Sequence, residues 1–327
     1  MCYVARKRED QSRMLPHIDG FLANLKAEHY SASTVQNYER HLAVFARFLD
    51  ETHVPFDKIT KQTVVSYKAY LSAGGRNTAK PDNHIQTQLA PCTVNYKLAA
   101  LRIYLRYLID IDYPCSLAPE AVKNLKATQK RPQLPGFEDL IRLIEAPAAE
   151  SNITELRDKA ILETLFNTGL KVSELVSLNR EEVDLERKRL GLKGKGENTR
   201  AVFLSDNTVR WIRCYLQSRR DRFQPLFIRY SGRIDPGESG EKMRLTTRSI
   251  QRIVIRYAKR CGLPITATPE TLRHCFATYV AGQGTNPVPL RFLLSHESLD
   301  TTTRYVHASD KYAEETRRKY HPLAKPA

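Results

Sequence analysis

The stretch Leu293-Leu-Ser-His-Glu-Ser-Leu-Asp-Thr-Thr-Thr-Arg-Tyr-Val-His307 gathers imidazole, hydroxyl and phenol groups behind two leucines. His296 can donate a hydrogen bond to an anionic oxygen, and the phenol of Tyr305 can act as a nucleophile. A single tyrosine among the 16 in the chain would by default be a core or surface residue. Its position behind His296 and three threonines makes Tyr305 our candidate for a reacting group.

A second segment, Thr268-Pro-Glu-Thr-Leu-Arg-His-Cys-Phe-Ala-Thr278, is typical of a helix start. A threonine hydroxyl caps a helix well, and proline fits the first turn, so this start sets Glu270 and Arg273 on one face. The Arg273 guanidinium can bind two phosphate oxygens and stabilise a charged transition state. For Glu270, a helix-dipole role and a chemical role both stay open. We predict that His274 packs in the core.

Two further segments contain lysines in turns. In Thr168-Gly-Leu-Lys-Val-Ser-Glu-Leu175, Gly169 is predicted to end a helix and Ser173 to cap the next, so Lys171 lies in a tight turn from which its side chain can enter a cleft. In Gly194-Lys195-Gly196-Glu-Asn-Thr-Arg200, Lys195 lies in a predicted β-turn and can act as a general acid if its neighbours lower its pKa. Each lysine alone could be an ordinary surface residue.

In chain order, the four segments resemble the TGLRxSEL, GKG, TPHxLRHxFAT and LLGHxxxxTTxxYxH motifs of the tyrosine recombinases. Residues 317–324, RRKYHPLA, resemble the end of Xer-type members. The resemblance implies that Tyr305 attacks a DNA phosphate and forms a covalent ester, while Arg273 and His296 bind the phosphate oxygens. It also implies that Lys195 protonates the leaving 5′-oxygen.

Three positions depart from the family motifs. Lys171 stands where the family has arginine, Glu270 where it has histidine, and Ser295 where it has glycine. Lysine keeps the positive charge but loses the two-pronged hydrogen bonding of arginine, so we predict weakened catalysis unless Glu270 or a neighbour compensates. A catalytically impaired DNA-binding or architectural protein is therefore the alternative function.

The composition favours a polyanionic partner. Lysine and arginine outnumber the acids by 52 to 36, with a surplus of about 6 in residues 1–130 and about 10 in the rest, as expected if both parts touch phosphates.

The sequence has no membrane-length apolar stretch and no secretory signal, which predicts a cytoplasmic protein. Six widely spaced cysteines and the lack of nucleotide-binding loops predict no metal and no cofactor.

Helical patterns and a proline-rich interruption predict two domains. We assign residues 1–16 to an N-terminal extension, 17–113 to a helical core-binding domain, 114–135 to a linker and 136–327 to a catalytic domain. In the first domain, one helix is predicted behind a Thr34 cap and another from Thr93. The second helix has an apolar stripe on one face, formed by Val94, Leu98, Leu101, Leu105 and Leu108. The basic residues on its other faces are either solvated or in contact with DNA: Lys97, Arg102 and Arg106.

The second domain is predicted to be mainly helical, with one small antiparallel sheet between Val183 and Leu204. The family resemblance implies a two-domain, C-shaped clamp on double-stranded DNA at a specific site, with four protomers on paired sites, alone or with a related partner protein. The segment after Ser309 resembles the terminal helix that swaps between protomers. Strand exchange would proceed through a Holliday junction without a small-molecule substrate or a membrane. Integration or excision of a mobile element, dimer resolution and DNA relaxation by a type IB topoisomerase stay open.

Overall fold

The computed structural model describes residues 15–74, 89–126, 134–147, 152–193, 199–232, 239–263, 267–283, 287–294, 299–303 and 305. The chain divides into two compact units, Met1–Lys130 and Arg131–Ala327. Helices dominate both units, and one small antiparallel sheet belongs to the second, so the predicted mainly α fold with a small sheet is confirmed. Among the residues described, every helix is too short or too polar to cross a lipid bilayer.

In the residues that the structure describes, the first unit has four α-helices around an apolar core. They are α1 (Ile18–Ala27), α2 (Ala32–Glu51), α3 (Lys61–Ser72) and α4 (Pro91–Asp110). The predicted stripe of α4 is confirmed, because all five of its members are buried: Val94, Leu98, Leu101, Leu105 and Leu108.

Two helix starts in this unit differ from their predictions. The hydroxyl of Ser31 caps α2 by accepting from the Thr34 N–H at 3.2 Å, so Thr34 lies inside the first turn and is not the cap. Helix α4 begins at Pro91 rather than Thr93. The proline ring fixes φ near its helical value, and a missing N–H costs nothing at the first helical position.

The segment after α4 packs against the helices of the first unit as far as Leu125. The side chain of Asn95 exchanges two hydrogen bonds with the backbone of Leu125, at 3.0 and 2.7 Å. Arg102 donates to the Val122 carbonyl at 2.8 Å, and the Val122 side chain is fully buried. These hydrogen bonds therefore hold the first part of the proline-rich segment, up to Leu125, against α4.

The second unit begins with α5 (Phe137–Glu145), α6 (Ile153–Thr168) and α7 (Val172–Ser177). The sheet follows, in the order β1 (Val183–Asp184), β2 (Arg189–Lys193) and β3 (Thr199–Phe203), with Lys193 opposite Thr199 at the end of the β2–β3 pair. The remaining elements are α8 (Asp206–Ser218), α9 (Thr247–Arg260), α10 (Pro269–Gly282), α11 (Pro287–Leu294) and α12 (Leu299–Thr303). Helices α6, α8 and α10 pack closely and enclose the core.

A buried carboxylate ties α6 to α9. Asp158 is completely buried and accepts from the guanidinium of Arg157 at 2.9 and 2.7 Å. It also accepts from the hydroxyl of Tyr257 at 3.2 Å and pairs with Arg256. A buried charge is tolerated only when it is paired and hydrogen-bonded, and these contacts meet that requirement.

Gly169 ends α6, as its sequence context predicted. Its φ is +60°, and a Cβ at this position would lie 2.4 Å from Cδ1 of Phe276 and 3.2 Å from Cδ2 of Leu294. The turn therefore needs glycine for two reasons: the left-handed backbone and the close approach of neighbouring side chains.

We expect Gly169→Ala to lower the free energy of unfolding by about 2–5 kcal/mol, since a left-handed φ costs a residue with a side chain about 1–2 kcal/mol and overpacking costs about 1–3 kcal/mol. Gly262→Ala is the matched control, because Gly262 has φ +63° but nothing within 4 Å of the position that a Cβ would take. Urea denaturation should give a loss of only about 1–2 kcal/mol for the control. Equal losses in the two variants would contradict the packing argument.

Candidate active site

Arg273 joins three of the four sequence motifs. Its side chain is 3% exposed and projects from α10, whose start at Thr268 and Pro269 is as predicted. The guanidinium donates to the Gly169 carbonyl at 2.5 Å and to the Leu294 carbonyl. The ends of α6 and α11 therefore meet at one buried cation, although their residues lie more than a hundred positions apart in the chain.

Tyr305 lies beside the same helix. Its backbone N–H donates to the Thr302 carbonyl at 3.0 Å, which sets the residue just after α12. The half-buried ring packs against an apolar cluster formed by α10 and α11: Ala277, Ala281, Leu290 and Leu294. Its hydroxyl forms a hydrogen bond with Nδ1 of His274. The candidate nucleophile is thus held against α10, the helix that carries Arg273.

His274 differs from its prediction. Its side chain is 30% exposed, its ring centroid is 5.6 Å from that of Tyr305, and its Nε2 is 3.6 Å from the Glu270 carboxylate. The prediction that His274 packs in the core is therefore wrong. The helical spacing alone could have shown that position 274 follows Glu270 by one turn, but the contact with Tyr305 depends on the tertiary fold.

Glu270 is placed between two nitrogen-bearing side chains. Its side chain is 59% exposed, and Oε1 lies 4.0 Å from Nε of Arg273 and 3.6 Å from Nε2 of His274. A carboxylate in the first turn also interacts well with the helix dipole. Both of the roles considered for Glu270 are compatible with this position.

Lys171 occupies the turn between α6 and α7 and is exposed. Helix α7 starts at Val172, so Lys171 is the residue before the helix and the prediction that Ser173 caps it is wrong. The Glu174 carboxylate accepts from the Lys171 backbone N–H at 2.8 Å and satisfies the helix start from the third helical position. The Lys171 ammonium takes no part in this cap.

Arg200 also contributes to this region, although the sequence motifs did not single it out. It is the last residue of the segment Gly194–Arg200, in which only Lys195 was predicted to be functional. From β3, its guanidinium donates to the carbonyls of Phe292 and Leu293 at 2.9 and 3.1 Å and to the Glu174 carboxylate at 3.4 Å. Burial lowers the pKa of Arg200, and the Glu174 carboxylate opposes that shift. Arginine stays charged even so, and here it ties β3 to α7 and α11.

Lys195 and His296 lie outside the described residues, so their roles stay predictions. Described secondary-structure elements end within a few residues of both Lys195 and His296. The β2–β3 pair ends at residues 193 and 199, on either side of Lys195, and α11 ends at Leu294, two positions before His296.

The three candidate DNA-binding residues of α4 differ in their contacts with the rest of the protein and in their burial. Arg102 donates to the Val122 carbonyl and to the Asn124 side chain, at 2.8 and 3.1 Å. The exposed Arg106 pairs with Glu120 at 3.7 Å, and burial lowers the pKa of Lys97. Arg102 thus has a structural task, while the exposed ion pair of Arg106 is weak enough to exchange for a phosphate.

Comparison with known proteins identifies the family. Residues 137–312 match the model described as the phage integrase family, and residues 18–111 match the phage integrase N-terminal SAM-like domain. The chain belongs to the phage integrase family. A tyrosine recombinase XerC of Pelobacter propionicus is 32% identical over 317 residues, covering 95% of this chain and 97% of the relative. The XerC of Thermodesulfovibrio yellowstonii is 34% identical, covering 71% of this chain and 77% of the relative.

Solved structures of this family share the fold. The XerH site-specific recombinase in a post-cleavage complex with its palindromic difH substrate is 19% identical, with a TM-score of 0.69 and coverage of 94% of this chain and 83% of that one. Membership in the family makes the chain a tyrosine site-specific recombinase, an enzyme that breaks and rejoins DNA strands. These comparisons give no support to the catalytically impaired alternative over the enzyme.

Proposed function

We propose that Tyr305 is the nucleophile with which this recombinase cleaves DNA. The observation that carries the proposal is the junction at Arg273, where backbone carbonyls from the first and last motifs accept from one guanidinium in the helix on which Tyr305 packs. A buried, fixed cation on the helix against which a phenol packs is suited to phosphoryl transfer, because the cation can stabilise the charge that develops when the phenol attacks phosphorus.

Each side chain then has a chemical task. The Tyr305 oxygen bonds to phosphorus and forms a 3′-phosphotyrosyl ester, while the 5′-oxygen leaves with a proton from Lys195. Arg273 uses the N–H donors that are not bonded to carbonyls for the phosphate oxygens, with His296 and Lys171 as further donors. Glu270 acts through its neighbours. The ester retains the bond energy, so the proposed reaction consumes no nucleotide and uses no cofactor or metal.

Lys171→Arg is expected to raise the rate of DNA cleavage about tenfold to a hundredfold. A planar guanidinium can give the phosphate two hydrogen bonds where an ammonium acts as a point charge, and one transition-state donor is typically worth about a hundredfold or more. Single-turnover cleavage of a nicked substrate measures the effect. Lys188→Arg, at an exposed lysine in the β1–β2 turn, is the control and should leave the rate unchanged. An unchanged rate in Lys171→Arg would remove position 171 from the proposed site.

The assembly and the biological task are part of the proposal. Four protomers would hold two copies of a specific double-stranded site and exchange strands through a Holliday junction, alone or with a related partner protein. Residues 17–113 would serve as the core-binding domain and residues 136–327 as the catalytic domain. Relatives are named as XerC and XerH recombinases, and a solved structure with this fold is named an integrase of the Tn1549 transposon, so dimer resolution and the integration or excision of a mobile element both stay open as the task. Because the substrate is cellular DNA, we place the reaction in the cytoplasm.

Nicked suicide substrates test this function. Sites taken from the genomic neighbourhood of the coding sequence are incubated with the protein, and a denaturing gel reveals any covalent protein–DNA band. A band at one site but not at scrambled DNA is the expected result. Tight binding without a band would favour an architectural protein. Relaxation of supercoiled DNA that lacks the site would favour a topoisomerase.

A further inference from the structure

The contact between His274 and Tyr305 gives the candidate nucleophile a neighbour that can take its proton. Nδ1 of His274 and the Tyr305 hydroxyl share a hydrogen bond, and the two rings are inclined at 41°. A phenol has an ordinary pKa of about 10, so at neutral pH it needs a base to become an effective nucleophile. The motifs assigned from the sequence left this proton without an acceptor.

The carboxylate on the far side of the ring favours the required tautomer. Oε1 of Glu270 lies 3.6 Å from Nε2 of His274, one helical turn earlier on α10. A carboxylate accepts but does not donate when ionised, so it favours a proton on Nε2 and leaves the lone pair on Nδ1 for the phenol. In this tautomer the Tyr305 O–H donates to Nδ1.

The other charged groups are compatible with this arrangement. The described structure places three ionisable groups next to His274: Glu270 on its own helix, Tyr305 from the segment after α12, and Arg273, its neighbour in the chain. The Arg273 guanidinium is turned towards the carbonyls of Gly169 and Leu294. Its Nε lies 4.0 Å from the Glu270 carboxylate, which therefore offsets its charge next to His274.

We propose that His274 is the general base for Tyr305 and that Glu270 positions and stabilises its imidazole, an inference that rests on the proposed role of Tyr305 as nucleophile. As the Tyr305 oxygen bonds to phosphorus, its proton moves to Nδ1 of His274, the bond from phosphorus to the 5′-oxygen breaks, and that oxygen takes a proton from Lys195. The imidazolium that forms faces the Glu270 carboxylate. In religation the 5′-hydroxyl gives its proton back to Lys195 as it attacks phosphorus, the bond from phosphorus to the Tyr305 oxygen breaks, and His274 returns its proton to the departing phenolate.

His274→Gln is the main test, with single-turnover cleavage of a nicked substrate measured between pH 7 and 9. At pH 7 we expect a loss of about 10²- to 10⁴-fold, the usual contribution of general acid–base catalysis. Above pH 7 the rate of the variant should rise about tenfold per pH unit, because an unassisted phenol must ionise by itself. The ratio of the unaltered protein to the variant should therefore shrink steadily. A constant ratio would reduce His274 to a structural residue and overturn the proposal.

A double-mutant cycle tests Glu270. Glu270→Gln should lower cleavage about tenfold when His274 is present and have no further effect in His274→Gln, since both residues then act in one proton transfer. If Glu270 served only the helix dipole, the two losses would multiply. Multiplicative losses would remove Glu270 from the proposal.

A magnetic resonance measurement does not depend on His274→Gln folding. In protein labelled with ¹⁵N-histidine, Nδ1 of His274 should be unprotonated and hydrogen-bonded, and Tyr305→Phe should shift its resonance. An unchanged resonance would overturn the proposal. The failure of the parent function looks different: the unaltered protein would then form no Tyr305-dependent covalent band at any site that it binds.

Discussion

Tyr305→Phe is expected to abolish the covalent protein–DNA complex while leaving affinity for the site within about twofold. The variant removes one oxygen, and the ring can still pack against Ala277, Ala281, Leu290 and Leu294. The variant lacks the oxygen on which the proposed ester forms, so the loss should reach the detection limit of a denaturing gel, at least about a thousandfold. Mobility-shift assays on the same substrate measure the affinity.

The matched control for this prediction is Tyr279→Phe. Like Tyr305, Tyr279 belongs to the second unit. It lies within α10, is 54% exposed, and its ring stacks on that of Phe137. The control variant should form the covalent complex at the normal rate. A covalent band that persists in Tyr305→Phe would show that a different residue attacks the DNA.

Arg273→Lys is expected to lower the cleavage rate by about a hundredfold to a thousandfold. Lysine keeps the charge but loses the planar fork that can hold a phosphate, and loss of such a transition-state donor costs about 2.7–4 kcal/mol. The variant should also unfold more easily. The carbonyls of Gly169 and Leu294 lose their donors, and an unsatisfied buried acceptor costs about 1–3 kcal/mol.

Arg219→Lys separates the two effects of that substitution. Arg219 is buried to a similar degree and donates to the carbonyls of Pro225 and Leu226 at 2.8 and 2.9 Å, but none of the four motifs contains it. We expect a comparable fall in stability, measured by urea denaturation, with little change in the cleavage rate per folded molecule. If both variants cleave equally well, Arg273 has no special place in catalysis.

Short-range features of the fold followed closely from the sequence. Gly169 ends α6 because no other residue adopts its backbone angles so cheaply, and Thr268 with Pro269 starts α10 because cap and ring act within one turn. The predicted caps of α2 and α7 were misplaced by three residues (Thr34 for Ser31) and by two residues (Ser173 for Lys171). Serines and threonines lie close together there, and the sequence does not tell which hydroxyl or carboxylate reaches the unpaired N–H groups.

The sequence by itself determined the family, the order of the motifs, the mainly helical class and the identity of Tyr305 and Arg273 as candidates, because these depend on residue types at fixed local spacings. Only the tertiary structure decided that Arg200 ties β3 to α7 and α11, and that His274 lies against Tyr305. The contacts of Arg200 join residues that are 26 and 92 positions apart in the chain, and the contact of His274 with Tyr305 joins residues that are 31 positions apart. Local pattern carries no information on such pairs, since they form only when the helices pack and bring distant turns to the same place.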